Sequence, residues 1–172
     1  MKRILLMSLC ALGLLSCPAP TDPTSSDAAI DVVPITEVQV VGDSWLVTLP
    51  VAWTQETNMP SGKNVKMVAE RKEAQALVLL IKEPYSGTND QYAIDTIRKY
   101  RDQGSTINHA ASVIINDNHF VTVKTTNENI IVDSFITVKD GFAYSLECGG
   151  TDINASQFAP DCQKIADSLK IK

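Results

Sequence analysis

The sequence predicts an α+β fold, an antiparallel β-sheet of about six to seven strands flanked by two main helices. Three observations carry that expectation. From residue 35 onward apolar residues recur mostly at period two, in runs of strand length. The runs are parted by turn-forming groups, among them Gly42-Asp43, Asn116-Asp117-Asn118, Asn127-Glu128-Asn129 and Asp140-Gly141. Two stretches, residues 92–103 and 160–169, carry a helical apolar stripe instead.

Taken in order, Val38, Val40 and Val41 lead through Gly42-Asp43 to the alternation Trp45, Val47, Leu49, which reads as a hairpin ended by Pro50. Val65–Val68 is a second strand region, and the charged connector Glu70-Arg71-Lys72-Glu73 joins it to Ala76–Ile81. That nearly continuous apolar run reads as a central strand stopped by Pro84, with helix as the alternative because Leu and Ala favour it. Thr88 and Gln91, three apart, form a capping box before the helix Tyr92–Gln103, and Gly104 follows as its C′ residue. Ala93, Ile97 and Tyr100 make its apolar stripe, while Asp95/Lys99 and Arg98/Asp102 are opposite-charge pairs at i,i+4 on the wet side. Four strands follow, Thr106–Ile115, Phe120–Thr126, Ile130–Val138 and Phe142–Cys148, each joint carrying turn chemistry. Pro160–Leu169 closes the chain as a second helix, with Pro160 suited to a first turn.

Cys148 lies on the face of the last strand shared by Phe142, Tyr144 and Leu146, and Cys162 on the helix stripe shared by Phe158, Ile165 and Leu169. The two cysteines are expected to meet as a disulfide stapling helix to sheet, the alternative being two buried free thiols. Their spacing is not Cys-x-x-Cys, which speaks against a redox role.

The N-terminus is of a different kind. Lys2-Arg3 precede the apolar run Ile4–Leu15, which is too short for a bilayer core that needs about 20 residues. A signal sequence over residues 1–16 fits it. Leu14-Leu15-Ser16-Cys17 resembles the bacterial lipobox, with Leu14 at −3, Ser16 at −1 and Cys17 at +1. That resemblance implies a diacylglyceryl group on the Cys17 thiol, removal of the signal and acylation of the new N-terminus; the alternative is an ordinary cleaved signal with a chance cysteine. It further implies a lipid-anchored protein of the bacterial cell envelope whose partner is the lipid bilayer, reached through acylated Cys17. Pro18 stands where an aspartate would mark inner-membrane retention, so outer-membrane delivery is preferred. Residues 17–34 are the lipidated end and a Pro/Ser/Thr-containing tether, a composition that buries too little to order itself. Residues 35–172 remain as one domain.

The formal charge of the 172-residue chain is −5, and loss of Lys2 and Arg3 makes it more negative. Such a domain lacks the basic footprint of a nucleic-acid binder, and no nucleic acid is expected as a partner.

Several short stretches resemble the PsbP-like fold found in PsbP subunits and DcrB lipoproteins. They are Trp45-Leu46-Val47-Thr48-Leu49-Pro50 with Trp53, the helix ending at Gly104, the hairpin through Lys139-Asp140-Gly141-Phe142, and the closing Ile165–Ile171. The resemblance spans residues 43–172 and implies an antiparallel sheet flanked by helices, in a protein serving as an extrinsic or accessory subunit of a membrane assembly.

Catalytic, cofactor and metal residues are not expected. His109 and His119 are the only histidines, and pairing through the Asn-Asp-Asn turn would set them more than about 20 Å apart. Asn116-Asp117-Asn118 starts like a calcium loop but lacks its glycine and later glutamate. No Gly-x-Ser-x-Gly or phosphate-cradling glycine loop is present. Trp53 with Met59 and Pro60 reads either as an exposed patch for a partner or as core packing under a loop, the latter preferred. The expected function is therefore that of a non-catalytic envelope lipoprotein acting as an accessory or adaptor subunit for a protein partner. A small-molecule or lipid-binding periplasmic module is the alternative, and it calls for a concavity between helix and sheet.

Overall fold

The computed structural model describes residues 37–57 and 64–172. The expected signal, Cys17 and tether, and the pair Met59-Pro60, lie outside them. Among the described residues ten strands and two α-helices follow in the order β1 (Glu37–Val41), β2 (Trp45–Pro50), β3 (Thr54–Gln55), β4 (Val65–Arg71), β5 (Ala76–Pro84), α1 (Asn89–Asp102), β6 (Thr106–Ile115), β7 (Asn118–Asn127), β8 (Ile130–Lys139), β9 (Phe142–Thr151), α2 (Ala155–Ser168) and β10 (Lys170–Ile171). The main sheet has seven antiparallel strands in the order β3-β4-β5-β9-β8-β7-β6, and a smaller sheet is ordered β1-β2-β10. This is the expected α+β architecture. The Gly42-Asp43 hairpin stands outside the main sheet because β2 takes β10, the end of the chain, as its second neighbour.

Turn chemistry sets the register of the β6–β9 meander. Asn116 and Asp117 adopt φ of 47° and 62°, so Ile115 and Asn118 already pair and the turn holds two residues, not three. Asp140 and Gly141 repeat that conformation at φ 51° and 79°. Strand β9 runs on through Gly149 and Gly150, three residues past Cys148. Each of these glycines serves one face. A Cβ on Gly150 would crowd Phe158 of α2, and one on Gly149 would strike the backbone of β8.

The two helices cover opposite faces at opposite ends of the sheet. Helix α2 and the small sheet pack on one face, hereafter the α2 face, around Met67, Val78, Leu80, Leu146, Phe158 and Ile165. Helix α1 packs on the other, the α1 face, where Ala93, Val121, Val123 and Ile136 are buried together. A side chain such as Phe158, 1% exposed, contributes roughly 1.5–3 kcal/mol by leaving water. Trp53 belongs to the larger core, and its Nε1 donates to Asp161 Oδ2 at 3.1 Å. Arg71 Nη1 donates to the same oxygen at 2.6 Å and to the Gln157 carbonyl at 2.7 Å, tying β4 to α2.

Both helices differ from expectation at their N-terminal ends. Thr88 Oγ1 accepts from the Gln91 N–H, as a capping box requires, but helix α1 starts at Asn89. The Gln91 side chain reaches forward to Asp95, and Asp95 takes Arg98 at i,i+3 as its ion partner in place of Lys99. Helix α2 begins at Ala155, which puts Pro160 inside it. Phe158, the first residue of the expected stripe, thus lies within the helix, and Pro160 faces solvent, where the missing N–H costs least.

Cys148 and Cys162 form a disulfide, with Cα atoms 5.7 Å apart. The bridge spans 14 residues, and the chain-entropy model assigns a loop of that size about 3 kcal/mol. Replacing both cysteines by alanine is expected to lower the urea-unfolding free energy by about that amount. An unchanged midpoint would show that burial of the helix alone holds it.

Candidate functional site

Among the described residues, diagonal coverage by the helices leaves half of each face bare. On the α1 face the bare half is β5, β9 and the start of β8, because α1 lies over β6, β7 and β8. Leu77, Leu79, Ile130 and Val132 form an apolar strip there, with Gly149 as its floor and a volume of about 260 Å³. Leu77 is 41% and Ile130 40% exposed, both near the ends of interior strands of the sheet. The rim is acidic, since Glu70 stands across from Leu77 and Glu147 across from Leu79. Lys72, 2.8 Å from Glu70, holds that carboxyl below the usual carboxylate range.

On the α2 face the bare half is β6–β8 beside the C-terminal half of α2. A groove of about 400 Å³ runs there, with Val113, Ile115 and Phe135 as floor and His109, Lys124 and Asp133 among its walls. His109 pairs across the ladder with Lys124, and Lys124 Nζ lies 3.3 Å from Asp133 Oδ1. A β-bulge between Ile107 and His109 makes this possible. It lets Ile107 pack beneath α1 while His109, two residues on, turns to the opposite face.

The two histidines do not converge. His119 pairs with Ile114, five positions from His109 and about 17 Å along the strand, closer than the sequence count implied. It faces α1, where its Nδ1 meets Asn89 Nδ2 at 3.0 Å. Among the described residues no three His, Cys, Asp or Glu side chains group as a metal set. Asn116, in the stretch resembling a calcium loop, donates instead to the Asp167 and Leu169 carbonyls at 2.8 and 3.0 Å, capping the C-terminal end of α2. Cys17 lies outside the described residues. Among them no helix is long and apolar enough to cross a membrane.

Sequence reading did not single out the strip or the groove. Leu77 and Leu79 belong to a run that looks wholly buried, and Ile130 and Val132 to an apparently inward face. The pair Gly149-Gly150 was the available signal, because glycine inside a strand marks a close approach or a missing side chain.

No family model matches the chain, and no curated protein does. Solved structures do. The cyanobacterial PsbP protein (CyanoP) of Synechocystis sp. PCC 6803 is similar at a TM-score of 0.62 and 11% identity, covering 82% of this chain and 96% of that one. A Bacteroides thetaiotaomicron VPI-5482 protein gives 0.51 at 12% identity over 80% of this chain, which spans 48% of that protein. PA94 of Pseudomonas aeruginosa, a protein of unknown function, gives 0.52 at 11% identity, covering 79% of this chain and 97% of that one. These likenesses show the fold, and the fold is PsbP-like.

Three phenols on and next to α1 are held in their protonated form. Burial raises Tyr92, whose hydroxyl also donates to Glu83 Oε1 at 2.6 Å. Burial raises Tyr100 too, with the charge of Glu147 next in effect, and its hydroxyl lies 3.0 Å from Ser134 Oγ. Tyr85 is raised by burial and by its bond to Asp95. A phenol whose folded pKa lies above its unfolded value stabilises the fold fully below the unfolded pKa, near about 10, and that stability is lost as pH rises through the folded value. Urea midpoints are therefore expected to fall above pH of about 10, and to fall less steeply in Tyr92→Phe and Tyr100→Phe.

Proposed function

We propose that this chain is a lipid-anchored, non-catalytic protein of the bacterial cell envelope that acts as an adaptor, docking a protein partner on the apolar strip Leu77-Leu79-Ile130-Val132. The strip supports this reading most directly, because among the described residues no element covers these apolar side chains on interior strands of the sheet. Glu147 at its rim favours a partner segment that is apolar at its centre and carries a lysine or arginine beside it. The anchor is acylated Cys17, with the domain held off the bilayer by the segment that follows it; an outer-membrane address fits Pro18. The fold shared with CyanoP is compatible with an accessory role without specifying one.

A second reading, a small-molecule module, draws on the groove beside α2, whose size falls in the range of ligand sites. Lys124 and Asp133 would suit a small ligand carrying both charges on an apolar body.

In-cell crosslinking and co-purification of the wild type, Cys17→Ser and Leu77→Asp/Val132→Asp separates these readings. The adaptor reading expects one partner, lost from Cys17→Ser through lost anchoring and from the strip variant with the membrane fraction unchanged. A partner retained by the strip variant would remove the strip from the interface. No partner, with a small molecule that co-purifies and is lost in Lys124→Met, would replace the adaptor reading with the second one.

A further inference from the structure

Glu147 is out of keeping with the α1 face on which it stands. It lies on β9, an interior strand, in the pairing row that runs from Leu79 on β5 through Glu147 to Ser134 on β8. Ser134 is fully buried, Ser145 is buried two residues away on the same face, and Glu147 itself is half-buried. A carboxylate withdrawn so far from water ordinarily has a cation beside it. Among the described residues Glu147 makes no ion pair. The Ser145 hydroxyl donates to its Oε1 at 3.3 Å, a long bond. After burial, the charge of Glu147 is the largest influence that keeps the Tyr100 phenol protonated.

Two concavities meet at this residue. One is the apolar strip, where Leu77 and Leu79 on β5 and Ile130 and Val132 on β8 wall a slot floored by Gly149. The other is a cleft of about 160 Å³ between α1 and strands β5 and β9, to which Ile81, Glu83, Tyr92, Lys99 and Tyr100 contribute. Gly149 and Glu147 are two residues apart on one face of β9, about 6.6 Å along the strand. Over that distance the surface changes from wholly apolar to anionic. Lys99 is the single cation of the cleft lining, and it pairs with neither Glu147 nor Glu83. Asp95, also in that lining, is answered by Arg98, so negative charge is in excess there.

We propose that Glu147 is the anchoring residue for one lysine or arginine of the protein partner, whose side chain lays its methylene stem on Gly149 between the apolar walls and brings its charged head to the Glu147 carboxylate at the mouth of the cleft. This rests on the adaptor reading and adds to it the residue that selects the partner. Shape and charge both match, since lysine and arginine combine an apolar stem of three or four carbons with a cationic tip. A half-buried carboxylate without a partner lowers the stability of the free domain, and binding groups are where a fold tolerates such a loss.

Two blocked peptides serve as probe, acetyl-Ala-Val-Arg-Val-Ala-amide and its twin with neutral citrulline in place of arginine. Each is titrated into the isotope-labelled full chain and followed at the amide resonances of Leu79, Glu147 and Gly149. The arginine peptide is expected to bind at least about tenfold more tightly than its twin. Glu147→Gln is expected to erase that preference and to leave the thermal midpoint unchanged or higher, because it removes a charge that nothing in the domain answers. Equal binding of the twins would overturn the proposal, as would a preference that survives Glu147→Gln, or no binding by either peptide. So would a lowered midpoint or a lost fold in Glu147→Gln, which would show the carboxylate to be answered within the chain, by Lys99. The adaptor reading is decided separately, by whether Leu77→Asp/Val132→Asp releases the co-purified partner.

Discussion

The ladder between β5 and β9 is the interaction on which the rest of the molecule depends. Strands β3-β4-β5 and β6-β7-β8-β9 are each local antiparallel runs, and one nine-residue pairing, from Ala76 with Gly150 to Pro84 with Phe142, makes a single sheet of them. It also decides the cores. By placing Val78 and Leu80 beside Leu146 and Cys148, it creates the apolar platform that α2 covers and to which the disulfide is fixed. Without it neither helix would have a sheet wide enough to leave half of each face open.

That half-open arrangement gives the domain two surfaces of different chemistry. The strip on the α1 face is apolar with an acidic rim; the groove on the α2 face is apolar only at its floor, with Lys124 and Asp133 above. Each exists because of one backbone device in a strand. Gly149 removes the side chain that would fill the strip, and the β6 bulge turns His109 away from α1. Neither device adds stability. Both aim surfaces, which is where a shared fold leaves room for separate functions.

Local chemistry made much of the fold legible in the sequence. Strand β6 is bounded where its turn and alternation place it, β5 is the central strand its apolar run suggested, and Cys148 and Cys162 meet because both lay on stripes that had to be buried. The departures come from tertiary demands that no local pattern carries. Strand β10 completed a second sheet with β2, and α2 runs back past Pro160 to Ala155, where the proline had read as a first turn although the apolar stripe already reached Phe158. The strip was hidden for the same reason. An apolar residue at the centre of a sheet reads as core whether or not a helix lies over it, and α1 is too short and too far toward β7 to reach Leu77.

The β5–β9 ladder has a consequence in time as well as in space. A chain made from its N-terminus completes β5 long before the residues of β9 exist, so Ala76–Ile81 must wait with one edge unpaired while the whole β6–β8 meander is synthesised. Such a run is a template for aggregation during that interval. Arg71-Lys72-Glu73 stand before it and Lys82-Glu83-Pro84 directly after it, charges and a proline guarding both approaches. In the finished fold these residues end strands and line surfaces; in the nascent chain they keep β5 free for the partner that arrives last.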